Sequence, residues 1–172
     1  MIDVGTIRRV TAAIGQFGID AGVNAFMNSA WGWPVAECLH FIGLCFLMGT
    51  VGLFDLRMMG LVKGLPLGAL HRLVPFGIAG YALSATSGTL FVLAAPFEYI
   101  ENPAWIIKMG LMAVAGLNVI VFYRTMARRV YALDADAPVP LAARTVAIVS
   151  LVSWMGVIAC GRVITAFRPW IH

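Results

Sequence analysis

Four ionisable side chains stand inside long apolar runs of this sequence: Glu37, His40, Lys108 and Arg162. Such groups are costly within a membrane span, so each one indicates a function unless a partner neutralises it. An imidazole can ligate haem iron or another metal, and a cationic side chain can bind a carboxylate. Glu37 and His40 are three residues apart, which places them on one face of a helix. These residue types indicate cofactor or metal binding, with ion pairing as the structural alternative.

The composition assigns the chain to a broad class. The 172 residues are 61% hydrophobic and 12% charged, and the mean hydropathy is +0.90. A soluble domain averages roughly 45–50% apolar and about 25% charged residues. A water-soluble fold of this length cannot bury so much apolar surface. The composition therefore excludes a soluble domain, a disordered chain, a coiled coil and a disulfide-dense scaffold, and it leaves an integral membrane protein.

Four apolar runs are long enough to cross about 30 Å of hydrocarbon. They are Trp33 to Phe54, Leu73 to Ala95, Pro103 to Tyr123, and about Val146 to Phe167. Because unpaired backbone groups are costly in lipid, all four are predicted to be helices. The predicted fold class is therefore all-α. Residues 33–172 form an integral membrane four-helix bundle, and residues 1–32 form an amphipathic interfacial segment.

The N-terminal segment is less apolar than the four runs. Its apolar residues recur at helical spacing: Ile7, Val10, Ile14, Phe17 and Ala21. A polar stripe repeats every fourth residue: Gln16, Asp20, Asn24 and Asn28. This pattern predicts an amphipathic helix that lies on the membrane surface. A cleaved signal peptide with Arg8 and Arg9 at its basic end is the alternative.

The basic residues predict the orientation of the spans. Loop 55–72 contains Arg57, Lys63 and Arg72, and loop 124–145 contains Arg124, Arg128, Arg129 and Arg144. The other side carries Arg8, Arg9 and Arg168, together with Glu98 and Glu101. The positive-inside rule then places both basic loops in the cytoplasm and both termini in the periplasm of a bacterial inner membrane. The net charge of +4 reflects this topology, and we expect no nucleic-acid partner.

The predicted spans bring the four ionisable side chains to one level. With the rise of an α-helix, Glu37 and His40 lie roughly 6 and 10 Å below the outer end of the first span. Lys108 and Arg162 each lie about 8 Å below the outer ends of the third and fourth spans. Three helices therefore contribute to one shallow layer, which we interpret as a periplasm-side pocket around His40.

Several kinds of site fit part of this layer. A di-iron centre needs further carboxylates and a zinc hydrolase site needs further ligands, and the spans contain neither. A copper site drawing on His40, a thiol and Met109 or Met112 is one alternative. Haem b is another, with His40 as its axial ligand and with Lys108 and Arg162 suited to its propionates. Trp31, Trp33 and Tyr99 stand near the same edge. The structural alternative pairs Glu37 with Lys108 or Arg162.

The inner edge has a polar set of its own: Asp55, Arg57, His71 and Arg72. We interpret this set as an Asp–Arg ion pair between the first two spans. His71 lies about 20 Å or more from His40, so the two cannot clamp one haem. Gly80, Ser84 and Gly88 predict a small-residue packing seam on the second span. The cysteines are predicted to be buried free thiols, with Cys38 and Cys160 the pair left open by geometry.

A series of short motifs runs through residues 30–165. They are Trp33-Pro34-x-x-Glu37-x-x-His40-x-x-Gly43, Gly52-x-Phe54-Asp55-Leu56-Arg57-x-x-Gly60, Arg72-x-x-Pro75, Asn102-Pro103 with Lys108, and Gly161-Arg162. This series resembles a family of small bacterial four-helix inner-membrane proteins of no settled activity. The resemblance implies a fold and no reaction.

A more distant likeness has chemical content. The His of the first span, the Arg at its inner end and a Lys near Asn118 are similar to HemJ-type protoporphyrinogen oxidases and to CopD-type copper-resistance domains. The HemJ-type resemblance implies that His40 ligates haem b and that Lys108 is its polar partner. Glu37 before the His and the Asp-Leu-Arg motif depart from the HemJ pattern, which affects the oxidase reaction more than haem binding.

Three functional hypotheses follow. The leading one is a haem b-binding membrane redox or electron-transfer protein, with the lipid bilayer around it and a quinone or membrane redox protein as its partner. The second is a non-enzymatic accessory or assembly subunit of a membrane complex. The third is a small metal-ion or proton transporter using Glu37, His40 and Lys108, which would need to form a homo-oligomer. The sequence does not decide whether the protein is an enzyme.

Overall fold

The computed structural model describes residues 4–135 and 137–167, and within these ranges it is helical without strands. The helices are α1 (Val4–Asp20), α2 (Val23–Met27), α3 (Gly32–Met59), α4 (Leu67–Leu70), α5 (Val74–Ala94), α6 (Pro96–Ile100), α7 (Pro103–Thr125), α8 (Ala127–Tyr131) and α9 (Leu141–Val163). Helical turns of the 3-10 type join α4 to α5 and follow α9. Four segments are long and apolar enough to cross a membrane: Gly32–Met59, Leu67–Ala94, Pro103–Thr125 and Leu141–Ala166. The all-α prediction is therefore confirmed, and the four apolar helices are compatible with a multi-pass membrane protein.

Two predicted helix ends were wrong. α3 continues past Phe54 to Met59, and it ends where Gly60 takes the left-handed conformation at φ 86° and donates to the Arg57 carbonyl. The last span begins at Leu141, five residues before the predicted start. A polar residue such as Asp55 does not end a helix, because the backbone hydrogen bonds of the helix stay intact around it. A left-handed glycine does end one, because its amide turns back onto the last turn.

The long helices pack in the order α5, α3, α9, α7. α3 contacts both α5 and α9, and α7 contacts α9. The α3–α5 contact is close because Gly43 faces Gly80 and Ser84. A methyl group on Gly43 would lie 2.6 Å from the Gly80 carbonyl oxygen and 2.5 Å from the Ser84 hydroxyl. The predicted small-residue seam is therefore confirmed at Gly80 and Ser84, and Gly43 completes it. α5 and α7, both described in full, do not pack side by side.

The N-terminal segment forms two helices rather than one. Gly22, at φ 73°, separates α1 from α2. The polar stripe bonds within itself, since Gln16 donates to Asp20 at 2.9 Å and Asn28 donates to Asn24 at 2.7 Å. α1 rests on the bundle where Gly18 meets the backbone of Leu93 at the end of α5. Its other side is apolar and exposed, at Val10, Phe17 and Ile19. That this segment lies on a membrane surface stays a prediction.

The two basic loops lie at the same end of the bundle. Arg57 is 2% exposed, and its Nε donates to the Leu65 carbonyl at 2.7 Å while Nη2 donates to the Ala135 carbonyl. One guanidinium thus joins both loops through backbone acceptors. The predicted Asp–Arg ion pair is wrong, because no ion pair involves Asp55 in the described ranges. Arg57 bonds backbone carbonyls instead, and Arg72 at the start of the second span is exposed whereas Asp55 is buried.

Arg57→Lys tests this junction. Lysine keeps the charge but has no planar fork to reach two carbonyls at once. We expect the free energy of unfolding to fall by about 1.5–3 kcal/mol, and the two loops to become more sensitive to protease. Arg72→Lys is the control, since Arg72 is exposed at the same end. Equal stability and equal protease resistance in Arg57→Lys and the unaltered protein would contradict this role.

Candidate functional site

His40 lies half-buried on α3, facing α5. Its ring packs edge-on against Phe91 with centroids 5.6 Å apart. Its backbone carbonyl accepts a hydrogen bond from the Ser84 hydroxyl at 3.1 Å. A methyl group on Gly88 would sit 3.5 Å from Cε1, so the ring lies against the backbone of α5. The position and tilt of this imidazole are therefore defined by α5.

A hydrogen bond to Ser87 determines which ring nitrogen of His40 is free. Nδ1 lies 3.0 Å from the Ser87 hydroxyl oxygen. That hydroxyl lies 2.8 Å from the Leu83 carbonyl, to which it donates its own hydrogen. The Ser87 oxygen is thereby free to accept from Nδ1–H, and in this tautomer the lone pair of His40 is on Nε2. No group in residues 4–135 or 137–167 hydrogen-bonds Nε2. The imidazole is therefore oriented by its Nδ1 hydrogen bond, and its Nε2 is available to bind a ligand.

Lys108 lies on α7 and is half-buried. Its Nζ rests against α9, 3.5 Å from where a methyl group on Gly161 would stand. The charge of Lys108 acts on His40, and it also interacts with Cys160. The structural alternative of an ion pair between Glu37 and Lys108 or Arg162 is wrong, because these three described residues form no ion pair. Within the described ranges, Lys108 is thus a half-buried basic group without a carboxylate partner.

The other predicted site residues lie at the surface. Glu37 is exposed on α3, and Arg162 is exposed in the last turn of α9. Their assignment to a cofactor site stays a prediction. Trp33 stacks on Phe91 with centroids 5.4 Å apart, which places it beside the His40 ring, whereas Trp31 is 74% exposed. Tyr99 packs with Trp33 in a buried cluster at the same end.

The thiols and potential metal ligands of the chain form neither disulfides nor a ligand cluster in the described ranges. Cys38, Cys45 and Cys160 are free thiols, as predicted, but their predicted burial is wrong, because Cys38 and Cys45 are exposed on the bundle and Cys160 is half-buried. No group of three or more His, Cys, Asp or Glu side chains is arranged around a common point in the described ranges. Copper binding by His40 with Met109 or Met112 stays a prediction.

Sequence reasoning missed a cavity of about 450 Å³ in the half of the bundle nearer the basic loops. Helices α3 and α9 form its floor, and α5 and α7 form its sides. Six aromatic side chains line it: Phe54, Tyr81, Phe122, Tyr123, Tyr131 and Trp154. Burial and a hydrogen bond with Tyr123 raise the pKa of the Tyr131 phenol, so this group stays neutral at physiological pH. The cavity is therefore largely apolar, and the Tyr131 hydroxyl on its wall is uncharged.

Two buried polar atoms on the cavity wall lack a partner within the part of the chain that the structure describes. Asp55 is 3% exposed, and its Oδ2 accepts no hydrogen bond from the described residues. The Ser150 hydroxyl faces the same carboxyl group. The indole Nε1–H of Trp154 is also buried, with no acceptor among residues 4–135 and 137–167. Ser150 and Trp154 are four residues apart on an apolar span, so their shared helix face was the available sequence signal.

Comparisons with known proteins give no further guide to the site. No family model, no curated protein and no solved structure matches this chain. The functional assignment therefore depends on the geometry of the chain itself.

Proposed function

We propose that this chain is a haem b-binding membrane redox protein in which His40 is an axial ligand. The observation that carries the proposal is the hydrogen bond between His40 Nδ1 and Ser87, which leaves the Nε2 lone pair free. Histidines that bind metal characteristically donate their other ring N–H to a fixed acceptor, which sets the ring orientation and strengthens the ligand. Haem, when bound, supplies one-electron chemistry at its iron.

The charges around His40 agree with this group. Among the described residues Lys108 has no carboxylate partner, and an ammonium in that state is suited to a propionate. Arg162 and Glu37 stand at the same end of the bundle and reach the surface. Arg162 can bind the second propionate, and Glu37 can balance the positive charge of the two basic groups. Phe91 and Gly88 hold the ring from α5, so the chain supplies both the ligand and its support.

The arrangement of the loops supports a specific orientation. The loops joined by Arg57 are also the segments richest in Lys and Arg, and His40 lies toward the opposite end. The protein is then a multi-pass protein of the bacterial inner membrane, with basic loops in the cytoplasm and both termini in the periplasm. Its redox partner is a quinone or another membrane redox protein. The same protein can also associate with further copies of itself as a homo-oligomer.

Absorbance of the detergent-purified protein tests the proposal. Protein from haem-replete cells is expected to show a Soret band that shifts on reduction. His40→Ala is expected to lose or shift that band, because the chain then lacks its axial nitrogen. Ser87→Ala keeps the nitrogen but frees the ring, and we expect it to weaken haem retention by roughly 10- to 100-fold.

His71→Ala is the matched control, since this histidine lies at the opposite end of the bundle. Its Soret band is expected to be unchanged. A colourless preparation from haem-replete cells, or an unaltered band in His40→Ala, would exclude His40 as the ligand of a bound haem.

A further inference from the structure

We infer that the cavity beside Asp55 binds an uncharged, lipid-soluble molecule whose aromatic head group carries a hydroxyl, as a quinol does. This site is separate from the His40 region. Asp55 is fifteen residues farther along α3, which corresponds to about 22 Å of helix. The inference stands on the cavity and does not require haem at His40.

The cavity is accessible from the lipid side of the bundle. α5 and α7 do not pack side by side, so the gap between them opens laterally. Ile78 on α5 and Val119 on α7 both line the cavity, and they are 64% and 41% exposed. A ligand with a hydrocarbon tail can therefore place its head group inside while the tail stays between these helices in the bilayer.

The polar groups of the cavity define the chemistry of the head group. Asp55 Oδ2 needs a donor, and Trp154 Nε1–H needs an acceptor. A buried polar atom without a partner is costly, so a ligand that satisfies both atoms gains more than one that satisfies neither. A hydroxyl group both donates and accepts. An ammonium group only donates and would leave Trp154 unsatisfied, which favours a hydroxyl over an organic cation.

The walls of the cavity favour an aromatic ring. Tyr81 and Trp154, which both line the cavity, contact each other edge-on with ring centroids 6.0 Å apart. Phe54 and Phe122 meet edge-on at 5.7 Å on the inner side. A planar ring can contact such faces with the offset and edge-on geometries that aromatic pairs prefer. A cavity of about 450 Å³ lies within the size range of small-molecule sites.

Calorimetric titration of the purified full chain with a matched pair of ligands tests the inference. Decylubiquinol, kept reduced under nitrogen, supplies the hydroxyl head group, and its dimethyl ether has the same ring and tail without the donors. We expect saturable binding of the quinol at about one per chain, and affinity for the ether lower by roughly tenfold or more. Decanol and decyltrimethylammonium distinguish an aliphatic alcohol and a cation from the aromatic hydroxyl.

Variants locate the binding. Gly116 lines the cavity, and a methyl group there meets no described atom within 4 Å, so Gly116→Leu fills the cavity without a backbone clash. Gly110→Leu is the matched control, because Gly110 lies on the same helix with the same free space but outside the cavity. We expect Gly116→Leu to lose quinol binding and Gly110→Leu to keep it. Asp55→Asn and Trp154→Phe are each expected to weaken binding by about tenfold or more.

Each result decides the inference without reference to the haem spectrum. Quinol binding that depends on the hydroxyls and disappears in Gly116→Leu supports it. Equal affinity for quinol and ether, tighter binding of decanol or the ammonium, binding retained in Gly116→Leu, or no saturable binding overturns it. If Asp55→Asn does not fold, the ligand pair and the two glycine variants still give the answer.

Discussion

Gly43→Ala is expected to lower the free energy of unfolding by about 1–3 kcal/mol, the cost of overpacking a close contact. The added methyl group would lie 2.6 Å from the Gly80 carbonyl oxygen and 2.8 Å from the Ser84 backbone nitrogen. These are backbone atoms, which cannot rotate away as a side chain can, so α3 and α5 must separate. The same displacement pulls the His40 carbonyl away from the Ser84 hydroxyl. We therefore expect Gly43→Ala to affect the His40 region as well as stability.

Gly49→Ala is the control for this prediction. Gly49 is on the same helix, and a methyl group there meets no described atom within 4 Å. Alanine is also a better helix former than glycine, so stability should be unchanged or slightly raised. The measurement is loss of helical circular dichroism during titration with a denaturing detergent. If the two alanine variants unfold at the same detergent fraction, the close contact between α3 and α5 does not contribute as described.

Asp55→Leu is expected to raise the free energy of unfolding by about 1–3 kcal/mol, because a buried carboxyl oxygen without a partner is costly. Removing one member of an ion pair would have the opposite effect, since it leaves a buried charge uncompensated. The sign of the change therefore distinguishes a binding residue from a structural lock. A more stable variant that no longer binds ligand would show that Asp55 lowers the stability of the fold and that its role is to bind the ligand.

Asp134→Leu is the matched control for Asp55→Leu. Asp134 is exposed in the loop at the same end of the bundle, so its replacement is expected to change stability by less than about 0.5 kcal/mol. The same detergent titration measures both variants. A marked loss of stability in Asp55→Leu would show that the carboxyl group contributes to the fold through Ser150, and the interpretation of Asp55 as a ligand-binding group would then be wrong.

Local patterns predicted the parts of this fold that depend on neighbouring residues. Hydropathy over some twenty residues identifies a span, and small residues at four-residue spacing identify a packing surface, as at Gly80 and Ser84. The helix ends were predicted less well. The end of α3 depends on the left-handed conformation of Gly60 rather than on the first polar residue, so Asp55 was assigned to a loop when it lies on the helix.

The sequence by itself determined the all-helical class, the four apolar helices, and the presence of His40 and Lys108 within them, because the composition and spacing of nearby residues carry this information. Only the tertiary structure decided how the helices pair. The tight contact of Gly43 with Gly80 joins α3 to α5, α9 packs against α3 and α7, and the gap between α5 and α7 becomes a cavity. Which groups face that cavity depends on rotations of helices far apart in the chain, and no local pattern records those rotations.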